Sequence, residues 1–124
     1  MYFDEAMRQA RRETQKDQRL WGLELDPLIV SIAMNLIELT GASGIVKLVV
    51  GSALDSLTRL TKKELVAIDL LCLDHVEDLY VADLKICEEL GLLKPESLVS
   101  ANNVLRPGAP EYCGYAHHHA NFQS

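Results

Sequence analysis

Cys113, His117, His118 and His119, close together near the end of the chain, carry the thiolate and imidazole groups that zinc or nickel takes as ligands. A structural zinc site usually draws its ligands from two paired segments, and no second pair stands upstream. Cys113, His117 and His119 are the ligands a metal would use, but the expected state is a solvated tail with no metal and no cofactor. His75 offers acid–base chemistry, with Asp74 and Asp78 beside it and Cys72 nearby. A local explanation competes: Asp74 suits a helix N-cap, Asp78 a solvated face, and Cys72 a core shared with Leu65 and Ile68. The run Gly41-Ala-Ser-Gly44-Ile-Val-Lys47 has the outline of a phosphate loop. It lacks the Gly-Lys-Ser/Thr ending whose backbone and lysine hold phosphates. No serine or cysteine has a defined base, and no G-x-S-x-G occurs. These features predict a protein that is not an enzyme.

Arg8, Arg12, Lys16 and Arg19 fall on one stripe of a helix. Like charges at that spacing repel, so the stripe is expected either to meet DNA or an acidic partner, or to be a solvated face. Residues 81–92 followed by Pro95-Glu96-Ser97-Leu98 have the outline of a helix-turn-helix with its turn at Gly91. The second helix would present Glu96, Ser97, Ser100, Asn102 and Asn103, with Lys94 beside its start, a poor set for reading bases unaided. Between Glu64 and Glu89 the only cation is Lys85, against eight carboxylates, within a net charge of −6. Such a surface repels a polyanion, so any DNA affinity must come from a basic companion.

The elements that must hold these residues are expected to be helices. At 124 residues the chain suits one domain that buries ~two thirds of its unfolded surface. Aromatic residues are only 6% while aliphatic ones abound, which favours packed helices. Asp4 caps a first helix running to about Trp21. Asp26 and Pro27, an N-cap and a first-turn proline, open a second that ends at about Thr40 before Gly41. That helix is apolar around most of its circumference, the pattern of a buried or interfacial helix. A third runs from Ser43 to Leu60; the β-branched run Ile45 to Val50 offers a short strand as the alternative, but the 3–4 spacing continues past Gly51 and favours the helix. Thr61-Lys-Lys-Glu64 reads as a capping box opening a helix to Leu73, and Asp74 opens another to Leu90, stopped by Gly91. Pro95 starts a short sixth helix to Ala101. The expected fold is all-α, with five to six helices in a compact, intertwined homodimer. Residues 1–101 would form the helical interaction domain and residues 102–124 an irregular tail. The charged start, the odd cysteine count and the lack of an uninterrupted apolar span predict a reduced, cytoplasmic protein.

With these elements placed, the run from Leu28 to Val66 resembles FlhD, the smaller subunit of the bacterial FlhD–FlhC flagellar activator. The likeness lies in Ala33 followed by Leu36-Ile37, Ala42-Ser43, Lys47-Leu48, Leu60-Thr61 and Val66, about a third of the chain. It implies a non-catalytic homodimer that joins a larger, basic FlhC-like subunit to bind promoter DNA and activate transcription. Leu28, Ile32, Leu36 and Leu48 would pack the dimer, and Arg8, Arg12, Lys16, Arg19 and Lys94 would meet DNA or the partner. The alternative is an acidic interaction or inhibitor protein that binds no DNA.

Overall fold

The computed structural model describes Ala6, Arg8, Gln9 and residues 18–123. The chain falls into two compact units, Met1–Ser52 and Ala53–Ser124.

The first unit contains β1 (Leu20–Glu24), α1 (Pro27–Leu39) and β2 (Val46–Val50). The strands run parallel in continuous register, from Leu20 opposite Val46 to Glu24 opposite Val50. Parallel strands cannot be joined by a tight hairpin, so the chain crosses over through a helix, giving a β-α-β unit. Both ends of α1 are set locally. The Asp26 carboxylate accepts from the Leu28 N–H at 2.8 Å, and Pro27 occupies the first turn, where its missing donor costs nothing. At the other end Gly41 adopts φ +70°, its N–H donates to Glu38 O, and the Ala42 N–H donates to Ile37 O, a Schellman motif. Val30 and Ile37, seven residues apart, are the buried side chains of α1. Gly22 lies opposite Leu48, and a Cβ there would come 2.5 Å from Leu48 Cδ2. The bare glycine gives that leucine its place.

The second unit contains α2 (Ala53–Thr61), β3 (Ile68–Leu73), α3 (Tyr80–Glu89), β4 (Leu93–Ala101) and α4 (Pro110–His118). Strands β3 and β4 are again parallel and joined through α3. Gly91, at φ +65°, closes α3 with a second Schellman pair: its own N–H donates to Glu88 O and that of Leu92 to Cys87 O. Leu73, Tyr80 and Ala109 form a buried cluster, packed round by Leu71, Val99, Ala101, Val104 and Tyr112. Leu84, Cys87 and Leu92 are also almost fully buried. Pro95 fits inside β4 because the ladder is interrupted there: Ile68 pairs Leu93, but Leu70 pairs Leu98. The Ser97 hydroxyl spans the gap, accepting from the Lys94 N–H at 2.8 Å and donating to Ile68 O.

This α/β architecture overturns the all-α expectation. The β-branched run called helical is β2, the expected helix from Pro95 to Ala101 is part of β4, and the expected helix from Thr61 to Leu73 is the end of α2 followed by β3. Thr61 caps nothing forward; its hydroxyl bonds back to Thr58 O. Of the expected first helix, which was to end at about Trp21, Leu20 and Trp21 begin β1 and most of the rest lies outside the described residues. The irregular tail contains α4, with Pro110 in its first turn. Short parallel strands carry apolar runs rather than alternation, so their periodicity does not separate them from buried helices. Among the described residues no helix is long and apolar enough to cross a membrane.

Candidate functional site

Parallel sheets bind ligands outside the carboxyl ends of their strands, where the loops leave backbone and side-chain groups unclaimed by the ladder. In the first unit this edge carries Glu24 as the last residue of β1, Leu25 and Asp26 after it, and Gly51 and Ser52 after β2. The two strand ends are tied by the Gly51 N–H donating to Glu24 O at 3.0 Å. The Glu24 side chain is half-buried, and its Oε1 accepts from the Asp26 N–H at 3.0 Å. That bond fixes one carboxylate oxygen and leaves Oε2 without a hydrogen bond among the described residues.

In the second unit the same edge carries Asp74 and His75 after β3, and Asn102 and Asn103 after β4. Asp74 Oδ1 accepts from Asn102 Nδ2 at 2.8 Å, and Leu73 O accepts from the Asn102 N–H at 2.9 Å, so side chain and backbone both join the strand ends. Asn103 takes the left-handed conformation at φ 55°, which asparagine tolerates better than most residues and which turns the chain away from β4. Fully buried beneath them, Tyr80 donates its hydroxyl to Asn102 O at 3.3 Å. Burial, reinforced by the Glu77 and Asp74 charges, raises the Tyr80 phenol above its ordinary range. The His75 ring lies 5.0 Å from that of Tyr80, and its Nε2 is 2.7 Å from Asp83 Oδ2 on α3.

Catechol O-methyltransferase of Sus scrofa is 36% identical over 98 residues, 78% of this chain and 53% of that protein. Catechol O-methyltransferase of Bos taurus is 33% identical over 106 residues, 85% of this chain and 39% of that protein. The fold matches the crystal structure of SAH-bound Podospora anserina methyltransferase PaMTH1 with a TM-score of 0.61 and 25% identity, covering 73% of this chain and 38% of that one. The chain is similar to methyltransferases. It spans from about two fifths to about half the length of these two catechol O-methyltransferases. No family model matches it.

These likenesses overturn the FlhD resemblance, which rested on common residue types over a third of the chain. The non-catalytic activator subunit, its FlhC-like partner, the homodimer and the promoter DNA fall with it, and the inhibitor alternative gains no support. The residues assigned to those roles are scattered. Leu28, Ile32 and Leu36 lie on α1 with more than half of each side chain exposed, whereas Leu48 on β2 is half-buried over Gly22. Arg8 donates from Nη2 to Gly41 O at 2.7 Å, and Arg19 is exposed just before β1. Arg12 and Lys16 lie outside the described residues. Lys94 pairs with Asp69 at 3.1 Å on the surface of the β3–β4 sheet, so the proposed recognition helix is a strand.

The Cys/His tail divides as well. Cys113 and His117 sit on α4, while His119 follows it and places Nε2 3.1 Å from Glu88 Oε1. Among the described residues no three His, Cys, Asp or Glu groups come together as a metal site. Asp74, read as a helix cap, instead holds Asn102. Sequence reasoning assigns no individual role to Glu24 or Asp83, and it expects Asn102 on a recognition helix rather than at a strand end. The available signal was an apolar run ending in an acidic pair, Leu23-Glu24-Leu25-Asp26, and again in Leu73-Asp74-His75.

Proposed function

We propose that this chain forms part of an S-adenosylmethionine-dependent O-methyltransferase and carries the strand-end surface that holds the nucleoside. The observation that supports the reading is Glu24, a half-buried carboxylate at the carboxyl end of a parallel strand that opens a β-α-β unit. An acidic side chain near such a strand end is the group that takes a ribose hydroxyl in nucleoside-binding α/β folds. The donor set fits: Oε1 is anchored by the Asp26 N–H, and Oε2 remains to accept from a diol. The chain has no G-x-G-x-x-G run, but that fingerprint seats a pyrophosphate, and an S-adenosyl compound has none.

When bound, S-adenosylmethionine supplies an electrophilic methyl carbon on a sulfonium sulfur. The acceptor we assign is a hydroxyl of catechol type, after the names of the two mammalian relatives. Three free cysteines support the cytosol as the compartment.

Calorimetric titration with S-adenosylhomocysteine tests the reading. The wild-type chain should bind it, and Glu24→Gln should weaken binding about 10- to 100-fold, the loss of one charge-assisted hydrogen bond. Equal affinity in the variant would dismiss the role of Glu24. A wild-type chain that takes up no S-adenosylhomocysteine would dismiss the function.

A further inference from the structure

We propose that the outer face of α1 is a docking surface for an amphipathic helix of another protein, one that carries an arginine or lysine within its apolar stripe. This goes beyond the methyltransferase reading and does not rest on it. Val30 and Ile37 bury one side of α1. On the opposite side Leu25, Leu28, Ile32, Asn35 and Leu39 follow one another at steps of three, four, three and four residues. That alternation is the a and d spacing of a helix seam, which puts its members in one line along the helix. Leu28 is 66% exposed, Ile32 55% and Leu39 84%, and Ile29 and Leu36 beside the line are exposed as well. A helix whose core side is already apolar has no need of a second apolar side unless something packs there.

The polar member of the seam says what the occupant brings. Asn35 donates from Nδ2 to Ser31 O at 3.0 Å, a bond that leaves Oδ1 as an acceptor without a partner among the described residues. One turn on, the Glu38 carboxylate makes no hydrogen bond or ion pair among the described residues. Asn35, Glu38 and Leu39 line a hollow of about 340 Å³ that opens to solvent. Two acceptors beside a leucine side chain suit a guanidinium or ammonium on an aliphatic stem. A single polar residue in an a or d line also sets which helix pairs and in what register.

Two other occupants fit less well. Glu38 is the one charged residue of α1, so a second copy laid on this face supplies no cation from its own helix. A lipid surface would press the same carboxylate against hydrocarbon.

The probe is a synthetic alanine-based helix of about 20 residues, labelled with fluorescein, with leucine at successive a and d positions and one arginine among them. Fluorescence anisotropy with the whole chain should show saturable binding. Ile32→Asp should weaken it about 10-fold or more, with unchanged circular dichroism. Glu38→Lys should also weaken it, and should prefer the peptide whose arginine is replaced by glutamate, a reversal that lost apolar area would not produce. Ile32→Asp should leave the sedimentation of the chain by itself unchanged, and phosphatidylcholine vesicles should carry down neither protein. A wild-type chain that binds neither peptide, or an Ile32→Asp variant that binds as wild type does, overturns the proposal. So does a dimer that Ile32→Asp dissolves, because a second copy then covers the face, and so does vesicle binding that the same variant loses.

Discussion

The Tyr115 hydroxyl donates to Glu88 Oε2 across 2.7 Å, joining α4 to α3. The other oxygen of the same carboxylate meets His119 Nε2 at 3.1 Å, and the Lys85 ammonium lies 5.1 Å from the centre of the Tyr115 ring. One half-buried carboxylate thus secures the C-terminal helix at two points, through groups that are far apart in sequence.

That bond makes the phenol reluctant to ionise. The hydrogen bond to Glu88, then burial, then the Glu88 charge push the Tyr115 pKa up to about 12. The stabilisation is fully present below pH ~10, the ordinary tyrosine value, and is lost as pH rises from there through about 12. Ultraviolet titration should show one tyrosine ionising near 12, and Glu88→Gln should bring it back towards 10. Tyr115→Phe should cost about 1 kcal/mol of stability at neutral pH, read from the urea midpoint.

Ser56 on α2 is fully buried, and its Oγ has no hydrogen-bond partner among the described residues. An unsatisfied hydroxyl costs about 1–3 kcal/mol when buried, so removing it relieves that cost without opening much space. Ser56→Ala should therefore raise the urea midpoint at unchanged slope, by the equivalent of about 1 kcal/mol. A lowered midpoint would mean that the oxygen has a bound partner, such as an internal water.

Leu84 is 1% exposed and lies on the buried side of α3 with Tyr80 and Cys87. Leu84→Ala should cost about 2–5 kcal/mol, the transfer term plus the cavity left behind. The same change at Leu105, which is 92% exposed, should cost less than ~0.5 kcal/mol. Thermal melts of the two variants provide the contrast.

The cysteines should separate by reactivity. Burial, with the Asp83 and Glu88 charges adding to it, pushes the Cys87 thiol up to about 11, whereas Cys72 is exposed on β3. Thiolate is the reactive form, so iodoacetamide at pH 8 should label Cys72 quickly and Cys87 only on unfolding. Peptide mass spectrometry against time measures both rates. Equal labelling in the native protein would contradict the packing of α3.

What was legible in the residues was local. Asp26 with Pro27, and the glycines at 41 and 91, mark the helix boundaries found around α1 and at the end of α3, because capping uses groups within a few residues of each other. What misled was equally local. Thr61 to Glu64 has the form of a capping box, yet Leu60 O receives the N–H groups of residues 63, 64 and 65 as α2 closes. Pro95 looked like a helix start and is accommodated in a strand, through the side chain of Ser97. Of the candidate site, Asp74 and His75 were noticed and then explained away, since their partners Asn102 and Asp83 are 28 and 8 residues distant.

The amino-acid sequence by itself determined both ends of α1 and the close of α3, the net charge, and which side chains can hold or move a proton. Tertiary structure alone decided that the apolar runs at residues 46–50, 68–73 and 93–101 are parallel strands, because each one's hydrogen-bond partners lie on another strand, reached only through an intervening crossover. It also decided that Asp74 meets Asn102 and that His75 meets Asp83, contacts made by folding that no spacing along the chain records.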